Sequence, residues 1–188
     1  AVLGSGVAAA KATGLGPLIY TNANHGASGS TVAHTSGVAS VAPTPGTPRA
    51  FSKTIYDAAV QATYISAGKV PKAVYMSPAH KALASTFTGI ASNRYEVKGT
   101  NQGAIIGGAD VYVSDFGAMT HVPHYMMAGS TLVYGLDLSE IKMAYLRPFF
   151  SQKLGASGDS VKEQVIVDVT LRVEAEKACF KIADLSGG

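Results

Sequence analysis

Charged side chains are scarce in this sequence. They make up 14% of the 188 residues, whereas hydrophobic residues make up 47%. The surface of a solitary soluble domain is usually rich in Lys and Glu, so this composition favours a surface that partners partly cover. A chain of this length buries roughly 70% of its unfolded surface as one domain or two small lobes. It therefore needs no disulfide or metal for stability.

Cysteine and long apolar runs are also scarce. The only cysteine is Cys179, which excludes an internal disulfide framework and fits assembly in a reducing cytoplasm, although a secreted protein without cysteines has the same composition. No stretch approaches about 18 consecutive apolar residues, which excludes a membrane-spanning helix. The first four residues, AVLG, contain neither an initiator Met nor the basic region of a signal peptide. We therefore expect the chain to begin inside a longer gene product.

The motifs of common enzymes are missing. There is no G-x-S-x-G elbow and no G-x-x-x-x-G-K-[ST] loop, and the 12 acidic residues form no suggestive cluster. Cys179 stands between Ala178 and Phe180, apolar neighbours that favour a buried, inert thiol. The sequence thus predicts no catalytic residue and no cofactor.

One glycine motif invites a nucleotide-binding interpretation. Residues 4–9 (GSGVAA) match the dinucleotide fingerprint G-x-G-x-x-A. However, almost no strand precedes them, and no acidic residue stands about 20 residues later to hold a ribose. The pattern therefore favours the end of a helix built from small residues.

The five histidines do not form a metal-binding pattern. His121 and His124 lie close in sequence, but side chains three residues apart on a strand point to opposite faces. His25 and His34 fall in an irregular segment, and His80 falls in the first turn of a predicted helix, where we expect it to face solvent. No metal site is predicted.

The basic residues are scattered along the chain, and the net charge is only +3. This pattern does not indicate sequence-specific nucleic-acid binding, although nucleic acid can lie nearby.

Residues 1–50 are rich in small residues and turn formers. They predict a short helical end over residues 7–13, followed by an irregular excursion over residues 25–48 that ends in PTPGTP. This excursion offers few apolar anchors to offset backbone entropy of about 1 to 2 kcal/mol per residue. It is predicted to be a surface loop or an arm that only neighbouring subunits order.

Two helices and one strand follow. Ser52 is a good N-cap, Phe51 and Tyr56 occupy the positions of a hydrophobic staple, and Gly68 with Pro71 ends the first helix. Its predicted core face is Ile55, Ala59 and Ala62, with Tyr56, Val60 and Tyr64 alongside. A strand is predicted over residues 72–76, and a second helix from Ser77-Pro78 to about Phe87.

The rest of the chain is mostly extended. Strands are predicted over residues 94–98, 109–114, 119–126, 131–134, 141–147 and 161–174. In the last of these, Val161, Val165, Val167, Val169, Leu171 and Val173 share one face. We expect this apolar face to pack against a helix or a second layer.

Several short motifs in the C-terminal half resemble those of phage major capsid proteins with the Hong Kong 97-type fold. They are VSDFG at 113–117, VYGLDL at 133–138, LRPF at 146–149, LGASGDSVK at 154–162, VTLRV at 169–173 and Lys177-Ala178. Residues 14–16 (GLG), Thr21-Asn22 and Ser77-Pro78 are similar in order and context. The resemblance covers nearly the whole chain and is sharpest over residues 109–185.

This resemblance implies an α+β subunit without a catalytic site that forms the icosahedral head shell around phage DNA. Residues 1–50 would be the end of a spine helix and an irregular loop, residues 51–140 mainly an axial lobe, and residues 141–188 mainly a peripheral lobe with a long strand. The chain would then be the C-terminal portion of a subunit that is assembled in the host bacterial cytoplasm.

The implied partners are other copies in pentamers and hexamers, packaged DNA held non-specifically, a scaffold, a maturation protease, a portal and decoration proteins, with no membrane. Arg147, Lys153, Asp159 and Lys162 are candidate intersubunit ion-pairing residues, or else ordinary solvated charges. Two alternatives stay open at this point. One is the shell protein of an encapsulin-type nanocompartment, which shares the fold, and the other is a fibre or adhesin module.

Overall fold

The computed structural model describes residues 14–35, 38–87, 111–155 and 158–188. The glycine motif at 4–9, the helical end at 7–13 and the strand at 94–98 lie outside the described residues. Within them the chain is a mixed α/β structure with several sheets and few helices, which is compatible with a phage capsid fold. Its elements are α1 (Leu15–Leu18), β1 (Ala23–Asn24), β2 (Ala33–Thr35), β3 (Val38–Val41), β4 (Arg49–Ala50), α2 (Lys53–Ala67), β5 (Ala73–Met76), α3 (Pro78–Ala84), β6 (Val111–Ser114), β7 (Gly117–Pro123), β8 (Val133–Leu136), β9 (Ile141–Lys153), β10 (Glu163–Val173), β11 (Phe180–Ile182) and β12 (Leu185–Ser186).

A mixed six-stranded sheet organises the core, with the strand order β1-β11-β8-β5-β7-β6. β5 runs parallel to β7 and antiparallel to β8, and β1 runs parallel to β11. The largest buried cluster includes Tyr56 and Val60 from α2 and Val74, Met76 and Phe180 from the sheet. The C-terminal strand β11 therefore lies inside the sheet between β1 and β8, and β12 pairs with β4.

α2 begins and ends where the local sequence predicts. The Ser52 side chain accepts from the Ile55 amide at 3.5 Å, and Gly68 adopts a left-handed conformation at φ 69°. The predicted core face was partly wrong: Ala62 and Tyr64 are exposed, and Thr63 is buried instead. Thr63 satisfies its hydroxyl by donating to the Ala59 carbonyl at 2.8 Å, which makes a polar residue tolerable on the buried face.

α3 shows a second difference. It starts at Pro78, and Ser77 caps it by accepting from the His80 amide at 3.1 Å, but it ends at Ala84 rather than near Phe87. The expectation that His80 faces solvent was wrong, because its side chain is fully buried. Its Nε2 lies 3.3 Å from the Ser186 carbonyl oxygen, and its ring packs edge-on against Phe51. The C-terminal segment covers the first turn of α3, a contact that local sequence does not reveal.

The strands predicted at 119–126 and 131–134 are present, but their ends differ from the prediction. The strand expected at 119–126 is β7, which starts at Gly117, stops at Pro123 and gives way to a 3₁₀ turn at Tyr125–Met127. The strand expected at 131–134 is β8, two residues further on. Proline provides no amide for the ladder, which explains the end of β7.

The excursion over residues 25–48 is more ordered than its composition suggests. β2 and β3 form a short antiparallel hairpin, and β4 pairs in parallel with β12. The Asp184 carboxylate accepts from the Gly26 amide at 3.0 Å and contacts His25 Nδ1 at 3.1 Å. A Cβ at Gly26 would stand 2.1 Å from the Thr47 carbonyl oxygen, so the close approach of the two ends requires glycine. The expectation that only neighbouring subunits order this segment was therefore wrong for its two ends, which pack on their own chain.

Candidate assembly surface

A long β-hairpin is the largest exposed feature of the described residues. β9 has 13 residues and β10 has 11, and they pair antiparallel from Ile141 opposite Val173 to Lys153 opposite Glu163. Both strands pack chiefly on each other, and the base is fastened where the Glu174 amide donates to the Glu140 carbonyl at 2.8 Å. The predicted strand at 161–174 is confirmed as β10, with slightly shorter bounds.

β9 continues well beyond the predicted end at Arg147. The register shifts twice near Asp168, so that Leu146, Pro148 and Phe149 have no partner across the ladder. These β-bulges absorb Pro148, which has no amide to donate. Proline marks a strand end in a sequence read locally, and this is why the second half of β9 was missed.

One face of the hairpin is apolar and exposed. The cross-strand pairs Val169–Tyr145, Leu171–Met143 and Val173–Ile141 share this face with Val165. Val165 is 71% exposed, Met143 60% and Tyr145 52%. The expected packing of this face against a helix or second layer is therefore not found among the described residues. A contiguous apolar face of this kind marks an interaction surface.

The opposite face carries ion pairs. Arg147 pairs with Asp168 across the hairpin, and Lys142 Nζ lies 2.5 Å from Glu174 Oε2. The hydrogen bond from Lys142 lowers the pKa of Glu174. A hairpin with one apolar and one charged face is typical of an antiparallel sheet that is covered on one side only.

The four predicted contact residues all lie on this hairpin. Arg147 pairs within its own chain, whereas Lys153, Asp159 and Lys162 lie at the far end, which we call the hairpin tip (residues 153–155 and 158–163). The tip is closed by the Leu154 amide donating to the Lys162 carbonyl at 2.9 Å. Whether these residues form intersubunit ion pairs stays a prediction.

Sequence reasoning missed several exposed apolar side chains. Leu146 and Phe149 in the bulged part of β9 are 85% and 70% exposed, and Tyr125 and Met126 in the 3₁₀ turn are 80% and 75% exposed. The signal available for the first pair was the LRPF motif, in which apolar residues flank a proline that does not end the strand.

The histidines and the cysteine do not form a metal site in the described part of the chain. It contains no group of three or more His, Cys, Asp or Glu side chains placed to hold a metal. His121 is buried with its Nε2 2.9 Å from the Tyr56 hydroxyl, while His124 stacks on Tyr125. Cys179 is buried as predicted, and burial raises the pKa of its thiol. Across the same residues, no helix combines the length and the hydrophobicity that spanning a bilayer requires.

A family model described as SU10 major capsid protein matches residues 3–186, which is nearly the whole chain. A search of curated proteins finds no significant match.

Proposed function

Because the chain belongs to the SU10 major capsid protein family, it is a structural protein of the phage capsid, and we propose that its copies assemble through the β9–β10 hairpin into a closed icosahedral head. Family membership places it in the virion head, where it associates with copies of itself. Neither an encapsulin-type compartment nor a fibre module receives support from the comparison.

The uncovered apolar face of the hairpin carries this proposal. An isolated two-stranded hairpin is marginal in water and needs a further layer on its apolar face. The described residues provide no such layer, although Val165, Met143 and Tyr145 are more than half exposed. Burial of apolar surface contributes roughly 25 cal/mol per Å², so covering this face in the shell would supply a driving force for assembly.

The finer architecture is part of the same proposal. We infer a Hong Kong 97-type fold, with residues 1–50 as the end of a spine helix and a loop, residues 51–140 mainly the axial lobe and residues 141–188 mainly the peripheral lobe. The six-stranded sheet with α2 suits a compact lobe, and the hairpin suits an extended one. The sheet also contains β11, which belongs to residues 141–188. The proposed boundary between the two lobes therefore describes most, but not all, of each segment.

The remaining partners follow from enclosing a genome. Packaged DNA would lie against the inner surface without sequence-specific contacts, because the basic residues are scattered. Scaffold, maturation protease, portal and decoration proteins are the proposed assembly partners, and assembly would take place in the host bacterial cytoplasm. The chain itself is proposed to have no catalytic role.

Light scattering of the purified full-length protein tests this function. We expect closed particles of a single large size. Incomplete assembly should leave pentamers and hexamers of the chain. A full-length protein that stays monomeric at high concentration, even with scaffold and protease supplied, would contradict the proposal.

A further inference from the structure

A cavity of about 400 Å³ lies where the excursion closes over β8 and β11. Its walls include Val32, Pro43, Pro45 and Leu132, and the two prolines are exposed to solvent. Its polar lining is Lys181, Tyr134, His25 and Asp184. The cavity is thus an open, mostly apolar recess with a few polar groups, which is typical of a binding site.

Lys181 is the unusual group in this cavity. It is only 5% exposed, and it stands directly opposite Tyr134 in the β11–β8 ladder. Its Nζ donates to the Gly16 carbonyl oxygen at 3.1 Å, and it forms no salt bridge with any described carboxylate. Burial lowers the pKa of Lys181, and the nearby Asp184 charge, which raises this pKa, offsets the effect only in part.

Asp184 is the other charged group, and its carboxylate already has three hydrogen-bonding partners. Its carboxylate is held by the Gly26 and Gly46 amides and by His25. It therefore acts as a structural clasp, and it attracts Lys181 electrostatically without forming a salt bridge with it. Tyr134 provides a second donor in the cavity, because a phenol is protonated at neutral pH and burial raises its pKa further.

We propose that this cavity binds a carboxylate side chain from the hairpin tip of a second copy of the chain, with Lys181 as its ion-pairing partner and Tyr134 as a second donor. The proposal rests on the proposed function, since only an assembled shell brings a second copy to this place. A carboxylate would supply the directly hydrogen-bonded anion that this ammonium lacks, since its acceptor is the neutral Gly16 carbonyl.

Charge complementarity selects the hairpin tip. Among the described acidic residues, the side chains of Asp115, Asp159 and Glu163 have no ion pair or hydrogen bond within the described part of the chain. Asp159 and Glu163 lie at the tip beside Leu154 and Val161, which are 43% and 78% exposed and match the apolar walls. Asp115 instead lies in a tight turn next to Phe116, whose ring packs on Tyr64.

Length favours a contact between copies. Eleven residues of β10 span about 36 Å, and no hairpin residue lines the cavity. The tip is therefore placed to reach a neighbouring subunit rather than to fill the cavity of its own chain.

Zero-length crosslinking of assembled particles tests the contact. Particles built from an equal mixture of ¹⁴N- and ¹⁵N-labelled chains are treated with a carbodiimide, which joins an amine and a carboxylate as an amide and takes up the lost water as a urea. We expect mixed-isotope peptides that link Lys181 to Asp159 or Glu163. Particles that yield no mixed Lys181 product, or only links to Asp184 or Asp115, would contradict the inference while leaving the shell function intact. Absence of particles would contradict the shell function instead.

Binding of a small carboxylate to the unassembled chain tests the proposed ligand chemistry independently of assembly. N-acetyl-glutamate methylamide is titrated against the chain by NMR, with N-acetyl-glutamine methylamide as the neutral control. We expect resonances of Lys181 and Tyr134 to shift with the acid alone, and Lys181→Met to weaken this binding at least tenfold. Lys72→Met, at an exposed lysine, should leave binding unchanged. Equal shifts with acid and amide, or no shifts, would overturn the proposed carboxylate site.

Discussion

At the scale of single residues, Asp184 joins the excursion to the C-terminal segment. Burial alone would raise the pKa of Asp184, but hydrogen bonds from Gly26, Gly46 and His25 outweigh it and hold this pKa below the ordinary value. A lowered carboxyl pKa stabilises the folded state at pH values above the unfolded pKa near 3.9, and this contribution is lost as the pH falls through the folded pKa.

Asp184→Asn should therefore cost about 1 to 3 kcal/mol of unfolding free energy at neutral pH, because several donors lose a charged acceptor. Asparagine tolerates the positive φ of 60° at this position, so the backbone is not the cause. Urea unfolding at pH 7 and pH 3 measures the effect, and the difference between variant and parent should shrink at the lower pH. Asp115→Asn is the control, and an equal loss in both variants would show that Asp184 is no clasp.

The charge of Lys181 destabilises the folded chain, whereas that of Asp184 stabilises it, although both lowered pKa values make stability rise with pH. Burial lowers the pKa of Lys181, so the unfolded chain binds more protons than the folded chain between the two pKa values, and stability rises with pH there. Lys181→Met should be as stable as the parent or more stable at pH 7. The difference in unfolding free energy between the two proteins should become smaller towards pH 10. Chemical denaturation at both pH values checks this, and a variant that is strongly destabilised at pH 7 would show that the buried charge is compensated within the chain.

At the scale of elements, substitutions on the exposed hairpin should affect assembly without affecting the stability of the chain. Val165 and Gln164 are neighbours on β10, both exposed and on opposite faces. Val165→Glu and Gln164→Glu should each change the unfolding free energy of the isolated chain by no more than about 0.5 kcal/mol, as exposed substitutions do.

Assembly should distinguish the two variants. A carboxylate at Val165 would be buried in the subunit contact, at a cost of several kcal/mol, whereas one at Gln164 stays on the charged face. Light scattering should show particles for Gln164→Glu and none for Val165→Glu. Normal assembly of both would mean that the apolar face is not a subunit contact.

The elements also show which structure local sequence determines. α2 was predictable because Ser52 and Gly68 act within a few residues of the helix ends. The second half of β9 was not, because Pro148 is accommodated by bulges that depend on the partner strand. The burial of His80 was missed for a similar reason, since Ser186, its contact, lies more than 100 residues away.

The candidate site was predictable only in part. The four residues were predicted only as candidate intersubunit contacts, and the structure shows that they lie on one hairpin and that Arg147 already pairs with Asp168. The Lys181 cavity was not predicted, because it depends on the excursion folding back over two strands. Distant contacts of this kind leave no periodic pattern in the sequence.

At the scale of the whole molecule, the chain combines a compact sheet with a protruding hairpin. The compact part buries its own core around Tyr56, Met76 and Phe180. The hairpin leaves apolar residues uncovered and has too few contacts to bury them within the described chain. This division of roles is what a subunit needs if it folds first and assembles afterwards.

Electron cryo-microscopy of the full-length protein after assembly tests the central claim most directly. The account predicts closed icosahedral shells in which the β9–β10 hairpin of each subunit lies against a neighbouring copy, with its apolar face covered. Rods, trimers or isolated subunits, or closed shells in which the hairpin projects freely into solvent, would contradict it.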